Sequence, residues 1–286
     1  YNWKKLNQNY KRWVGGLIYR CRRVYLYMAK EIYYSDELND DFSGSDVEAI
    51  KIDGKYDYTP KGLLWKITSW FIYRVIAQPI AYLYMKLKFD YKIENREVLK
   101  SAKDKGYYMY INHTQNIADV IWPTFANFPR RAYIVANPDN VSLPFLKYVT
   151  KMLGAIPIPG DIESGKNFIK TLNRRIEEKD VIAIYPEAHV WKYYTKIRPF
   201  KDSSFKYPAQ KDIPVFSLTI TYQKWGNRKR PRIVAYVDGP FTCDGEMNLS
   251  KKREELRNKV YDAMVKRSEE SNIEFIKYYK VCDKND

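Results

Sequence analysis

Tyr107-Tyr108-Met109-Tyr110-Ile111-Asn112-His113-Thr114-Gln115-Asn116-Ile117-Ala118-Asp119 is the stretch whose reading decides the fold. Its first five residues are aromatic or apolar without alternation, the pattern of a strand buried on both faces. Asn112-His113 ends the run, a polar turn follows, and Val120, Ile121 and Trp122 open an apolar segment. A buried strand that delivers a histidine to its C-terminal end, just before a helix, places it where open α/β sheets keep their chemistry. Asp119 lies six residues beyond His113. Its carboxylate can fold back onto the imidazole, fix the tautomer and stabilise the imidazolium.

Outward from this stretch the pattern alternates. Strand-like runs cover 107–111, 132–136, 155–158, 181–185, 215–222 and 233–237, with helix-like runs at 120–127, 142–153 and 165–178. The expected fold is α/β, a mostly parallel central sheet flanked by helices. A last helix is expected at 250–270, with Ser250 as N-cap and Leu256, Val260 and Met264 as its apolar stripe.

Ahead of this α/β region the chain changes character. Residues 10–32 read as an amphipathic helix mixing Trp13, Leu17 and Val24 with Arg20, Arg22 and Arg23. It suits an anionic membrane surface and equally a packed helix with a solvated basic face. Residues 36–57 are acidic and read as a linker. Pro60-Lys61-Gly62 opens an apolar helical segment over 63–89, in which Arg74 and Pro79 argue against a simple membrane span. Its Trp, Tyr and Lys residues suit a segment lying in the interface. Three parts result: 1–60, an amphipathic helix plus linker; 61–90, an interfacial helical segment; and 91–286, the α/β domain.

The 286 residues, 45% hydrophobic and 16% aromatic, suffice for one substantial core plus an appendage. A net charge of +16 admits nucleic acid, an anionic membrane or acidic small molecules as partners. The basic tract from Lys224 to Arg232 has no recognition helix, zinc spacing or RNA-binding aromatic motif beside it, and no nucleic-acid partner is expected. Cys21, Cys243 and Cys282 are too scattered for a disulfide framework or a metal site, which points to a reducing compartment and no metal. No Gly-x-Ser-x-Gly elbow is present and no cysteine lies near His113, so covalent catalysis is not indicated.

Asn112-His113 with Asp119, Gly154-Ala155-Ile156-Pro157-Ile158, Tyr185-Pro186-Glu187 and Ile213-Pro214-Val215, in that order, resemble the motifs of the glycerophosphate and lysophosphatidate acyltransferases, from about Lys88 to Val237. The resemblance implies transfer of a fatty acyl group from a thioester to a lysolipid hydroxyl. The donor would be acyl-coenzyme A or acyl-acyl carrier protein, acting as co-substrate, with no tightly bound cofactor. His113 would be the general base, Asp119 its orienting carboxylate, and Glu187 would line the acceptor pocket. Asn112 and Pro186 complete the same motifs. It also implies a peripheral or monotopic enzyme on the cytoplasmic face of the cell membrane.

The chain departs from the family at three places. Five residues separate His113 from Asp119 where the family has four. No arginine follows the Gly154–Gly160 segment, and Pro186-Glu187-Ala188-His189-Val190 replaces a Pro-Glu-Gly-Thr-Arg pattern. The two arginines that would grip an acceptor phosphate are thus absent. Lys166, Lys192, Lys196 and Arg198 are the candidate replacements, and His189 is a candidate contact for the head group. An acceptor without phosphate (a glycolipid, a lipoamino acid or a neutral lysolipid) is the alternative. Two further classes compete, a non-enzymatic basic binder of membrane or nucleic acid and a thioesterase.

Overall fold

The computed structural model describes residues 31–42, 49–142, 147–243 and 245–281. Their strands are β1 (Glu31–Tyr34), β2 (Lys92–Glu94), β3 (Tyr107–Ile111), β4 (Ala132–Ala136), β5 (Ala155–Pro157), β6 (Val181–Ile184), β7 (Val215–Gln223), β8 (Arg232–Phe241) and β9 (Lys277–Lys280). Among the described residues β2 to β8 form a seven-stranded sheet in the order β2-β8-β7-β3-β6-β4-β5, and β1 pairs with β9 in a separate two-stranded sheet. Only β7 and β8 pair antiparallel; every other neighbouring pair in the large sheet is parallel. The expected mostly parallel α/β sheet is what the chain builds.

The continuous apolar run of β3 follows from its central place between β7 and β6. Its side chains alternate between two cores, as the period of a strand requires. Tyr107, Met109 and Ile111 pack with Trp122 and Phe216 on one face, while Tyr108 and Tyr110 pack with Phe168, Leu172 and Val260 on the other. Gly106, just before β3, lets the chain pass close to a helix end: a Cβ there would sit 2.4 Å from the Ile176 carbonyl oxygen. His113 therefore emerges at the C-terminal edge of the innermost strand, braced on all sides.

Residues 63–89 form one helical rod, α1 (Leu63–Phe71) and α2 (Gln78–Phe89) joined by a π-helical turn, Ile72–Ala77. Pro79 has no N–H to offer the carbonyl one turn earlier, and the widened turn absorbs that loss. Tyr73, Met85 and Phe89 face the domain and are buried. Leu63, Leu64, Ile67, Trp70, Leu83 and Leu87 face outward and are each more than half exposed. Arg74, which the sequence sets mid-segment, donates to the Pro129 carbonyl. No helix among the described residues is long and apolar enough to cross a membrane.

The helices that cover the sheet are α3 (Ala118–Asn127), α4 (Lys147–Met152), α5 (Ile162–Glu177), α6 (Lys206–Ala209) and α7 (Leu249–Ser268). Of the helix expected at 142–153, Lys147–Met152 is helical, Ser142 ends a 3-10 turn over Pro138–Val141, and residues 143–146 lie outside the described residues. The expected cap Ser250 is displaced by Asn248, whose side chain accepts the Lys251 N–H at 3.0 Å and thus satisfies an otherwise orphaned donor.

Residues 10–30 of the expected N-terminal helix lie outside the described residues, and Glu31 and Ile32, placed in that helix by the sequence pattern, belong to β1 instead. The segment 36–57, expected as a linker, is packed where it is described. Ile52 is buried, its carbonyl accepts the Gly160 N–H, and the nearby Tyr58 hydroxyl donates to the Pro157 carbonyl at 3.1 Å. Scattered apolar residues without a period in a charged stretch are too weak a pattern to reveal such packing.

Candidate active site

The loop after β3 is shaped by Asp119 in the first turn of α3. Asp119 Oδ2 accepts the backbone N–H groups of Thr114 at 2.8 Å and Gln115 at 2.7 Å, and lies 2.7 Å from His113 Nδ1. These two N–H groups form a small anion-binding concavity, and the loop curls around the carboxylate. The fifth intervening residue is absorbed in that curl. Tyr222 fastens the curl from β7: its hydroxyl donates to Thr114 Oγ1 at 2.8 Å and accepts from Gln115 Nε2 at 3.0 Å. Asn112 stands behind the site, its amide exchanging hydrogen bonds with the Ile220 backbone at 3.1 and 2.8 Å. It continues the β3–β7 ladder by side chain.

The Asp119 carboxylate is buried, and that burial pushes its pKa above the ordinary carboxylate value against the pull of His113 and the two N–H groups. With Nδ1 held by Asp119, the imidazole keeps Nε2 for chemistry in the adjoining cavity. Tyr185 packs on the ring at 4.4 Å between centroids and donates its hydroxyl to the Asp119 carbonyl, which holds the imidazole plane.

Glu187 braces the same loop from the opposite side. Its Oε2 accepts the His113 N–H at 2.9 Å and its Oε1 accepts the Arg198 N–H at 2.9 Å. Burial pushes the Glu187 carboxyl up, opposed by the Arg198 guanidinium 3.7 Å away. Arg198 is itself fully buried; its two terminal nitrogens donate to the carbonyls of Glu187, His189 and Glu37, while its Nε–H is left without a partner among the described residues. Its guanidinium lies over the Trp191 ring at 4.8 Å. The Trp191 backbone N–H donates to the His113 carbonyl at 3.1 Å, and the Tyr193 backbone N–H to that of Thr114 at 3.0 Å. Tyr34 from β1 and Tyr278 from β9 close around Trp191. Both ends of the described chain thus clamp the loop that supports His113.

A cavity of about 1360 Å³ opens in front of His113. The rod supplies one apolar wall through Ile72, Tyr73, Ile76, Ile80 and Tyr84, and α3 adds Val120, Ile121 and Phe125. Its polar lining includes Asn39, Asp41, Asn137, Asp139, His189 and Lys201. His189 Nδ1 lies 3.4 Å from Asp41 Oδ2.

Of the residues singled out from sequence, His113, Asp119, Pro186, Glu187 and His189 line this cavity together. Lys166 does not. It is exposed on α5 and paired with Glu163 at 3.1 Å. Arg198 is behind the wall, and neither Lys192 nor Lys196 is among the lining residues. Sequence reasoning passed over Asp41 and Lys201, and it quoted Tyr185 within a motif without giving it a role. Tyr185 looks like the end of a strand, and Asp41 and Lys201 sit in no motif and reach the site only through tertiary packing. Among the described residues no cluster of three or more His, Cys, Asp or Glu side chains is placed to hold a metal ion.

The fold and this site define an acyltransferase: a family model for acyltransferases matches residues 90–221, a segment carrying both His113-to-Asp119 and Pro186-Glu187. The matched segment carries the motifs that resemble those of the glycerophosphate and lysophosphatidate acyltransferases, and the domain is that of an O-acyltransferase. The crystal structure of PlsC, the 1-acyl-sn-glycerophosphate (LPA) acyltransferase from Thermotoga maritima, shares the fold with a TM-score of 0.53 at 16% identity. The match covers 72% of this chain and 81% of that one. No curated protein matches the sequence.

Proposed function

We propose that the protein transfers a fatty acyl group from acyl-coenzyme A or acyl-acyl carrier protein to the free hydroxyl of a lysophospholipid of the 1-acylglycerol-3-phosphate type, at an anionic membrane surface. The observation that carries this reading is the His113–Asp119 pair on the wall of a cavity otherwise lined largely by apolar side chains. Asp119 holds Nδ1–H, so Nε2 presents its lone pair. It takes the hydroxyl proton as the oxygen attacks the thioester carbonyl carbon. The tetrahedral intermediate collapses with cleavage of the C–S bond, and the departing thiolate recovers the proton from the imidazolium. Ester and free thiol are the products, and no acyl-enzyme forms. Cys243, a free thiol, is not among the cavity-lining residues.

The outward apolar face of the rod, continued by Ile117, Val120 and Phe128, each more than half exposed, supports docking on a bilayer. The net charge of +16 favours an anionic, cytoplasm-facing leaflet. A second reading, an acceptor without phosphate, is favoured by the missing arginines at 154–160 and 188–190.

The test is acyl transfer from a labelled long-chain thioester on liposomes, with lysophosphatidic acid and monoacylglycerol offered in parallel. Transfer that falls about 10² to 10⁴-fold in His113→Ala is expected. Thioester left intact with every acceptor overturns the reading.

A further inference from the structure

The missing arginines leave open how the acceptor head group is held. The charged side chains that line the cavity answer this by elimination. His113 and Asp119 are paired with each other, and Glu187 is bound to the backbone N–H groups of His113 and Arg198. His189 faces Asp41 at 3.4 Å, and Asp139 accepts the Asn140 N–H at 2.9 Å. Lys201 is the one lysine or arginine among the described lining residues, and it has no hydrogen-bond or ion-pair partner there. Ser203 and Ser204 follow it on the same wall and add hydroxyl donors. Lys201 is therefore the one uncommitted cation on a lining that also carries the Asp41 and Asp139 carboxylates.

We infer that Lys201 reads the acidic head group of the acceptor, taking the place of the two arginines. The ligand class is a phosphate monoester on a lysolipid. This deepens the acyl-transfer reading above and rests on it. A compact ammonium on a flexible stem binds phosphate as a point charge without the fork of an arginine. Such a site tolerates a phosphate displaced from the usual family position, as the altered Ala188-His189-Val190 turn requires.

The experiment compares wild type, Lys201→Met and Lys201→Arg in phosphatidylcholine vesicles carrying either lysophosphatidic acid or monoacylglycerol, with a long-chain acyl-coenzyme A as donor. The reading is the ratio of kcat/KM for the two acceptors, which does not depend on how much of a variant is folded. In Lys201→Met the ratio is expected to fall against lysophosphatidic acid by about tenfold or more, the scale of one lost charge-assisted contact. Lys201→Arg is expected to keep it. A ratio within twofold of wild type in Lys201→Met overturns the inference. So does transfer by the wild type to monoacylglycerol alone, which leaves the acyl-transfer reading standing. No transfer to either acceptor, with the thioester intact, removes that reading and this inference with it.

Discussion

Glu187→Gln tests whether this carboxylate is a brace for the catalytic loop. The substitution keeps the shape and removes the charge. One Glu187 oxygen accepts the His113 N–H and the other the Arg198 N–H, both at 2.9 Å. A glutamine offers a single acceptor oxygen, so its NH₂ must confront one of those donors. The Arg198 guanidinium, with no exposed surface, loses the counter-charge now 3.7 Å away. Removing one partner of a buried ion pair costs roughly 3–5 kcal/mol, because the remaining charge stays buried. Arg198 retains carbonyl partners on Glu187, His189 and Glu37, so the lower half of that range is expected.

Urea unfolding of wild type and variant gives the loss directly. Activity of the folded variant should also fall, because His113 is no longer held from behind and a displacement of about 1 Å can cost on the order of 10²-fold. The double variant Glu187→Gln/Arg198→Met, which removes the stranded charge, should regain much of the stability and little of the activity. A loss below about 1 kcal/mol, accompanied by a raised KM for the acceptor, would refute the bracing argument and make Glu187 a contact for the acceptor.

Asp119→Asn should lower kcat by about 10² to 10⁴-fold while leaving acceptor KM little changed; combined with His113→Ala it should add almost nothing, since the two act as a unit, and additive losses would contradict the pairing. Gly106→Ala should destabilise by about 1–3 kcal/mol through overpacking against the Ile176 carbonyl, and a neutral result in thermal unfolding would contradict the close approach. Asp180 provides a pH test, because burial pushes its pKa up to about 6. The folded state then holds more protons than the unfolded chain between the ordinary carboxylate value and about 6. Stability contributed by this group is therefore lost as pH rises through that window. Asp180→Asn should gain on wild type in urea unfolding between pH 5 and pH 7, and parallel curves would count against the shift.

The strands of the central sheet were legible because β3 and β6 are buried apolar runs, and β7, buried on both faces, alternates apolar residues with Ser217, Thr219 and Thr221. Local composition alone forces that reading, since little else suits such a segment. Strands β1, β2 and β9 went unread. They are three or four residues long, partly exposed, and exist only because a distant segment pairs with them.

His113, Asp119 and Glu187 were singled out from the sequence because each follows or adjoins an apolar strand whose end must lie at the carboxyl edge of the sheet. The sequence by itself thus determined the sheet, the strand that carries the histidine and the carboxylate six residues on. It could not assign tasks to the cations. Lys166, Arg198 and Lys201 look alike along the chain, and a charge reports nothing about its direction. Packing decided the matter: Arg198 was drawn inward to neutralise Glu187, Lys166 was left on a solvated helix face beside Glu163, and Lys201 was turned to the cavity wall. The physical reason is that burial patterns are written in short-range periodicity, whereas the partner of a charged side chain is fixed only when segments far apart in sequence meet.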